Sequence, residues 1–191
     1  MAEILLQRTD SKQVEPVYTV AAKRYGTPRA FLRASARSLR RLFGSLGLTK
    51  RIDILRRIAR QIEKDHRGRV PDREEDLLRL NGVGQYTANA VLCFAFGHNV
   101  PIVDSNVVRV FRRFFSVRSA RARPRDDPGF WSLARRLIPE GRARSVNLAL
   151  LDFEALVCTP RSPACPSCPV NTRCRYWAEI RDPQAPIASG P

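Results

Sequence analysis

The sequence predicts an all-α protein, and three observations support that fold class. Apolar residues recur at intervals of three or four along most of the chain, for example at Leu55, Ile58 and Ile62. Glycine and proline stand between these periodic stretches, where they end helices and form turns. No stretch alternates apolar and polar residues as a half-buried strand does. Apolar residues make up 43% of the 191, enough for a substantial core.

Helical spacing and turn residues place five helices before residue 65. The first is short, and its apolar face begins at once without a capping residue. The predicted helices cover residues 2–6, 14–25, 28–35, 38–43 and 49–64. Gly26, Gly44 and Gly47 mark the turns between the later ones.

A pair of helices joined by a tight turn is predicted between residues 70 and 97. Pro71 suits the first position of the first helix, and the acids that follow it complement the positive end of the helix dipole. Gly82 can adopt the left-handed conformation that closes a helix, and Gly84 leaves no side chain where the second helix begins. Backbone N–H groups therefore stay open to an anion such as a phosphate. This pattern is a helix-hairpin-helix.

A further helix is predicted after Pro101, with Asp104 at its N-cap and an apolar face from Val107 to Phe115. Capping alone, which contributes about 1 kcal/mol, accounts for an aspartate at this position. The same position also leaves a fixed anion beside a nucleic-acid-binding turn. A fixed anion can stabilise a positively charged sugar. Both interpretations stay open on these residues alone.

The remainder of the chain is predicted to contain a connector and two helices. The connector, residues 116–128, is basic and lacks apolar periodicity. The helices cover residues 131–137 and 145–157. The longer one is expected to turn most of its apolar side chains inward, namely Val146, Leu148, Leu150, Leu151, Phe153, Leu156 and Val157.

The formal charge of +16 favours a polyanionic partner, and nucleic acid is favoured over a membrane because no long apolar span or lipidation motif is present. Arginine supplies most of this charge. A GC-rich genome would explain arginine in place of lysine, but not the excess of positive charge. The N-terminus lacks the basic region of a secretory signal, which indicates a cytoplasmic, reducing setting. Cysteines in that setting are more often metal ligands than disulfide partners.

Four cysteines lie close together near the end of the chain, at Cys158, Cys165, Cys168 and Cys174. Core cysteines would be spread over several helices, so this density predicts a metal-binding site. Zinc also accepts four thiolates, but it usually takes two C-x2-C pairs on either side of a long spacer, and only one such pair occurs here. The fifth cysteine, Cys93, is expected to be a small buried hydrophobe.

The segments L-N-G-V-G-Q-Y-T-A (80–88) and V-D-S-N-V-V-R-V (103–110) together resemble the hairpin and catalytic-aspartate motif of the endonuclease III and adenine mismatch glycosylase superfamily. The spacing of the four cysteines matches the [4Fe-4S] loop of the same superfamily, so the resemblance extends from Glu3 to Cys174. Asn81 departs from it, because the family's turn usually has a proline there. A slightly looser turn is expected.

The resemblance implies a two-lobed helix-hairpin-helix glycosylase fold. A six-helix barrel lobe would span residues 1–98 and include the hairpin at 72–97. A lobe that carries the catalytic aspartate and a [4Fe-4S] cluster would span residues 99–178, and a flexible tail would span 179–191.

The implied activity is excision of a base that has been extruded from double-stranded DNA. Asp104 would stabilise the oxocarbenium-like sugar, Glu3 would handle protons at the base or the attacking water, and Tyr86 and Asn106 would line the site. The remaining roles follow the same resemblance: Gln7 would fill the gap in the base stack, Gly82, Val83, Gly84, Gln85 and Thr87 would bind DNA, Ser11 and Leu148 would line the substrate pocket, and Cys158, Cys165, Cys168 and Cys174 would hold the cluster.

Three residue features bear on the reaction and its target. Tyr86 stands where lyase members have a lysine, so strand cleavage is not expected. Leu148 stands where the thymine type has leucine and the adenine type tends to have glutamine. A leucine offers no hydrogen bond to an adenine edge. The 17 residues after Cys174 are too few for the second domain that adenine glycosylases typically append.

The expected function is therefore that of a monomeric, nucleoid-associated glycosylase, which removes thymine or uracil mispaired with guanine. Removal of adenine opposite 8-oxoguanine or guanine is the alternative. A non-catalytic DNA-binding module with a structural cluster is an alternative of another class. Asp104 and Glu3 argue against that module, because DNA binding alone gains nothing from anions near a phosphate backbone.

Overall fold

The computed structural model describes residues 1–7, 9–47 and 49–182. These residues form helices and connecting segments without any strand, which confirms the predicted fold class. The chain divides into two compact units, Met1–Phe96 and Gly97–Pro191. None of the helices in the described ranges is both long and apolar enough to cross a membrane.

The first unit carries seven α-helices within its described residues. Their bounds are α1 Ala2–Leu6, α2 Ser11–Tyr25, α3 Pro28–Arg33, α4 Ala36–Phe43, α5 Thr49–Asp65, α6 Glu74–Leu78 and α7 Gln85–Phe96. A 3-10 turn, Gly44–Leu46, follows α4. Leu5, Phe31, Leu39, Phe43 and Leu55 belong to the buried cluster that holds these helices together.

The helices predicted before residue 65 are confirmed with small shifts at their ends. α2 begins earlier than expected because Asp10 caps it, with its carboxylate accepting the Lys12 N–H at 2.8 Å. The first hairpin helix is shorter than expected. Pro71 is buried outside it and Arg73 keeps an extended backbone (φ −111°, ψ 140°), so α6 cannot begin before Glu74.

Between residues 97 and 182, the second unit carries four α-helices: α8 Ser105–Phe115, α9 Pro128–Leu137, α10 Ala143–Leu156 and α11 Arg175–Arg181. Two 3-10 turns lie at Pro124–Asp126 and Asn171–Arg173. α8 packs against both α10 and α11. The buried side chains of α8 meet those of α9 in a core that contains Val107, Phe111, Phe130 and Ala134.

Two predicted boundaries in this unit were wrong. α9 begins at Pro128, inside the predicted connector, because Asp127 accepts the Gly129 N–H at 2.9 Å and proline suits the first helical position. Residues 179–181, assigned to a flexible tail, belong to α11. Residues 183–191 of the predicted tail lie outside the described residues.

The inward face of α10 also differs from the prediction. Leu148 and Leu156 are 43% and 75% exposed, whereas Ala143, Asn147 and Glu154 are buried. These buried positions follow helical spacing. Asn147 is tolerated inside because its Oδ1 accepts the Ile102 N–H at 3.0 Å and its Nδ2 donates to the Val100 carbonyl at 2.9 Å. The Asn147 side chain thus supplies the hydrogen-bond partners of a backbone N–H and a backbone carbonyl in the segment before α8.

Candidate active site

The turn between α6 and α7 has the predicted backbone geometry. Gly82 has φ of +76°, in the left-handed region, and a Cβ there would stand 3.0 Å from Ile54 Cγ2. Gly84 faces open space, because no described heavy atom beyond its chain neighbours lies within 4 Å of where its Cβ would be. The first N–H groups of a helix lack intrahelical acceptors, so α7 begins with donors beside an open approach.

A side chain of α5 secures this turn. Gln61 Oε1 accepts the Asn81 N–H at 2.8 Å, and Gln61 Nε2 donates to the Arg79 carbonyl at 3.1 Å. A proline at position 81 would have no N–H to give. The departure from proline was expected to loosen the turn, but the Asn81 N–H attaches the turn to α5 instead.

The remaining hairpin residues predicted to bind DNA differ in what they expose. The Gln85 side-chain amide donates to the Glu74 carboxylate, and to Asn89 Oδ1 at 3.1 Å. Thr87 is buried and Val83 is half-buried. The side chains of Gln85 and Thr87 therefore serve the hairpin itself.

Four other predicted site residues lie on the first helices and on α7. Glu3 is half-buried on α1, and burial raises the pKa of its carboxyl, while the nearby N-terminal amine opposes the shift. Gln7 is exposed just after α1, and its carbonyl accepts a hydrogen bond from Arg51. Ser11 is exposed at the start of α2. Tyr86 is half-buried on α7, which packs against α1.

Asp104 lies at the predicted N-cap of α8. Its Oδ1 accepts the backbone N–H groups of Asn106 at 2.8 Å and Val107 at 2.7 Å. Its Oδ2 accepts from the side-chain Nδ2 of Asn106 at 3.1 Å. These hydrogen bonds fix the orientation of a half-buried carboxylate. The residue is a helix cap and at the same time a preorganised anion.

A second carboxyl group, which the sequence analysis missed, stands beside the first. Glu154 on α10 is 6% exposed, and its Oε1 accepts from Asn106 Nδ2 at 3.2 Å. Burial, followed by the negative charge of Asp104, raises the pKa of Glu154 to about 8. The available signal was a charged residue in an apolar run, seven positions after Asn147 and so on the same helix face.

Arg109 joins this pair to the chain at the first clustered cysteine. Its guanidinium donates to Asn106 Oδ1, to the Glu154 carbonyl at 3.0 Å and to the Cys158 carbonyl at 3.1 Å. The positive charge of Arg109 also opposes the upward shift in the pKa of Glu154. Asp104, Asn106, Glu154 and Arg109 therefore form one connected polar network.

The four cysteines that follow α10 line a single apolar cavity. Burial raises the pKa of Cys165, and Cys174 and Cys158 add to this shift because they line the same cavity. Arg113 reaches the same place, where it donates to Cys158 Sγ at 3.5 Å and to the Thr159 carbonyl at 2.7 Å.

This donor set suits an iron–sulfur cluster. Each cysteine that holds a [4Fe-4S] cluster binds a different iron, so the four sulfurs surround a cube rather than one ion. Across the described ranges, no group of three or more His, Cys, Asp or Glu side chains is arranged as a metal-binding site. Arg113 places a cationic donor beside Cys158 Sγ, where it would offset the negative charge of a cluster bound by thiolates.

The described residues thus combine two helical units, a glycine hairpin that presents backbone donors, and a fixed aspartate that follows the hairpin. Residues 1–126 match the family model of the HhH-GPD superfamily of base excision DNA repair proteins. The chain belongs to this family.

Individual members of this family show which glycosylases the chain is similar to. The thymine-DNA glycosylase of Aeropyrum pernix is 38% identical over 93% of this chain and 81% of its own length. The thymine/uracil-DNA glycosylase of Methanothermobacter thermautotrophicus is 36% identical over 93% of this chain and 80% of its own. An adenine DNA glycosylase of Mycobacterium tuberculosis is 37% identical over the whole chain and 61% of its own length.

Solved structures agree with the fold. A thermostable thymine-DNA glycosylase superposes with a TM-score of 0.88 at 35% identity, covering 93% of this chain and 82% of the other. A trapped endonuclease III–DNA covalent intermediate superposes with a TM-score of 0.82 at 26% identity, covering 95% and 84%.

Proposed function

We propose that this base excision repair glycosylase hydrolyses the N-glycosidic bond of thymine or uracil mispaired with guanine, without cleaving the DNA strand. Family membership supports the class of reaction. The relatives that act on thymine or uracil support the target base.

The observation that carries the proposed chemistry is the fixed carboxylate of Asp104. When the bond between C1′ and the base nitrogen breaks, the base leaves with the bonding electrons and the sugar becomes cationic. A carboxylate already held by three hydrogen bonds stabilises that cation without having to reorient. Water then adds to C1′ and loses a proton, in the manner of glycoside hydrolysis.

Glu3 is the proposed proton carrier for the leaving base or the attacking water. Burial favours the protonated form of its carboxyl, which suits a group that must give a proton. Tyr86 occupies the hairpin position where a lyase would have a lysine nucleophile, so hydrolysis should end with an intact abasic strand.

Leu148 supports a pyrimidine target. It is 43% exposed on α10, and its side chain presents an apolar surface that has no hydrogen-bonding group. A pocket that reads adenine through polar contacts would need a donor or acceptor at that position. The similarity to the adenine DNA glycosylase of Mycobacterium tuberculosis keeps adenine as the competing target base.

We also propose that Cys158, Cys165, Cys168 and Cys174 hold a [4Fe-4S] cluster, and that the protein binds double-stranded DNA as a monomer. When bound, the cluster would supply iron–thiolate bonds that hold the loop after α10 to α11. The donors of the hairpin turn and the charge of +16 would provide phosphate binding independent of sequence.

The test is a panel of duplexes under single turnover, which contain T:G, U:G, A:G or A:8-oxoguanine, with alkali used to reveal abasic sites. T:G and U:G should be processed fastest, and strands should break only after alkali. Faster removal of adenine would replace the proposed target base. A covalent complex trapped at high yield by borohydride would overturn the monofunctional assignment.

A further inference from the structure

Glu154 is a buried carboxyl group that the proposed reaction does not use. It is 6% exposed, and one of its oxygens, Oε2, is buried without a hydrogen-bond partner among the described residues. An ionised carboxylate with a buried bare oxygen is strongly disfavoured. A protonated carboxyl group resolves this conflict, because its O–H can donate to the Asp104 carboxylate, a hydrogen bond that also raises the pKa of Glu154. Oε1 remains the acceptor for Asn106.

The position of Glu154 links it to the proposed catalytic aspartate. Asn106 Nδ2 donates to Asp104 Oδ2 at 3.1 Å and to Glu154 Oε1 at 3.2 Å, so one amide group bridges the two carboxyls. Arg109 holds the other end of this amide by donating to Asn106 Oδ1. The orientation of Asn106, and through it of Asp104 Oδ2, therefore depends on both neighbours.

We propose that Glu154, in its neutral protonated form, is a positioning residue that holds Asn106 against Asp104 during base excision. This role rests on the proposed function, because it acts on the same aspartate. The neutral form also leaves Asp104 as the single anion of the network. Ionisation would place two carboxylates around one amide, and their repulsion would draw Glu154 away from Asn106.

The charged groups that face Glu154 come from α8 and its cap, the element packed against α10. Asp104 favours the neutral form of Glu154, and Arg109 favours the ionised form. Burial and Asp104 prevail, since the pKa of Glu154 is raised to about 8. The wild-type rate of excision should therefore fall as the pH rises through about 8, when Glu154 loses its proton.

Three variants separate positioning from a merely structural role. Glu154→Ala should lower the single-turnover rate on T:G duplexes about tenfold at pH 7, because Asn106 loses its neighbour. Glu154→Gln keeps the shape and cannot ionise, so it should restore most of that rate and remove the alkaline fall. Glu179→Gln, at an exposed position of α11, should reproduce the wild-type profile. The same alkaline fall in Glu154→Gln would overturn the proposal.

Thermal unfolding tests the proton independently of excision. The folded pKa of Glu154, about 8, lies above its ordinary value of 4.5, so its contribution to stability is complete below pH 4.5 and is lost as pH rises through 8. Relative to Glu154→Gln, the wild-type Tm should therefore drop between pH 5 and 8. If the protein removes neither thymine nor uracil but shows this drop, the proposed function fails while the protonated Glu154 stands. A Tm difference that stays constant over this pH range would show that Glu154 is not protonated in the folded protein.

Discussion

The hairpin turn and the Asp104–Glu154 network use different chemical groups, backbone in the one and side chains in the other. The turn is exposed and offers backbone donors at Gly84, where nothing of the described chain fills the approach. The network is partly buried and consists of side chains that come from α8, its cap and α10. Backbone donors suit a phosphate that every DNA sequence has, whereas one fixed carboxylate suits one charged intermediate.

This difference implies that binding and chemistry can be changed separately. Substitutions in the turn should alter the dissociation constant for DNA, and substitutions in the network should alter the rate of excision from bound DNA.

Asp104→Asn should lower the single-turnover rate of excision by about 10²- to 10³-fold, since it removes the anion that stabilises the cationic sugar. DNA binding and folding should persist, because asparagine also caps helices and the turn is untouched. Rates and dissociation constants on a T:G duplex measure both effects. Asp127→Asn is the matched control, because Asp127 caps α9 in the same way. Unchanged turnover would reduce Asp104 to a cap.

The purified protein should contain about four iron atoms per chain, and Cys168→Ser should lose most of them. Loss of the cluster should lower the Tm, because the iron–thiolate bonds that would tie the loop between α10 and α11 together are then absent. Iron analysis and thermal unfolding measure these changes. Cys93→Ala is the control, since this cysteine is buried on α7 outside the set. Zinc without iron in protein prepared anaerobically would contradict the cluster.

Gly84→Asp should weaken DNA binding about tenfold, because a carboxylate at the open approach repels a phosphate and covers its donors. The fold should be unharmed or slightly stabilised, since aspartate at a helix N-terminus is favourable. The expected pattern is a higher dissociation constant in a DNA titration together with an unchanged or higher Tm in thermal unfolding. Gly44→Asp, also at a position with open space around it, should leave binding unchanged. Equal weakening by both variants would point to net charge alone.

The turn was predictable from the sequence, and the network was not. A left-handed glycine and a helix start are properties of neighbouring residues, so Gly82 and Gly84 predict them directly. The Asn106–Glu154 hydrogen bond joins positions 48 residues apart. The spacing of Asn147 and Glu154 places them on one face of α10, but no local pattern tells that this face meets α8. Apolar spacing pointed to Leu148 and Leu156 as inward residues, but the polar side chains of Asn147 and Glu154 are the buried ones.

Where local prediction failed, the missed signals were helix caps and a tertiary hydrogen bond. Asp10 and Asp127 set the starts of α2 and α9, and both were readable in the sequence. The anchor of Asn81 was not, because its partner Gln61 lies on another helix, 20 residues earlier. A turn that departs from the family's proline can thus be held by a side chain whose role only the fold reveals.

Gln61→Ala should have the smallest effect, and it tests whether the turn is preorganised. The Asn81 N–H and the Arg79 carbonyl lose their partner, but water can replace it, so the unfolding free energy should fall by about 1 kcal/mol. The dissociation constant for DNA should rise about twofold, and excision from bound DNA should stay the same. Asn81→Pro removes the same bond from the other side. If this hydrogen bond is what supports DNA binding, Asn81→Pro should weaken binding in the wild type but not in the Gln61→Ala background. Additive effects in this double-mutant cycle would show that Gln61 supports the turn by another route.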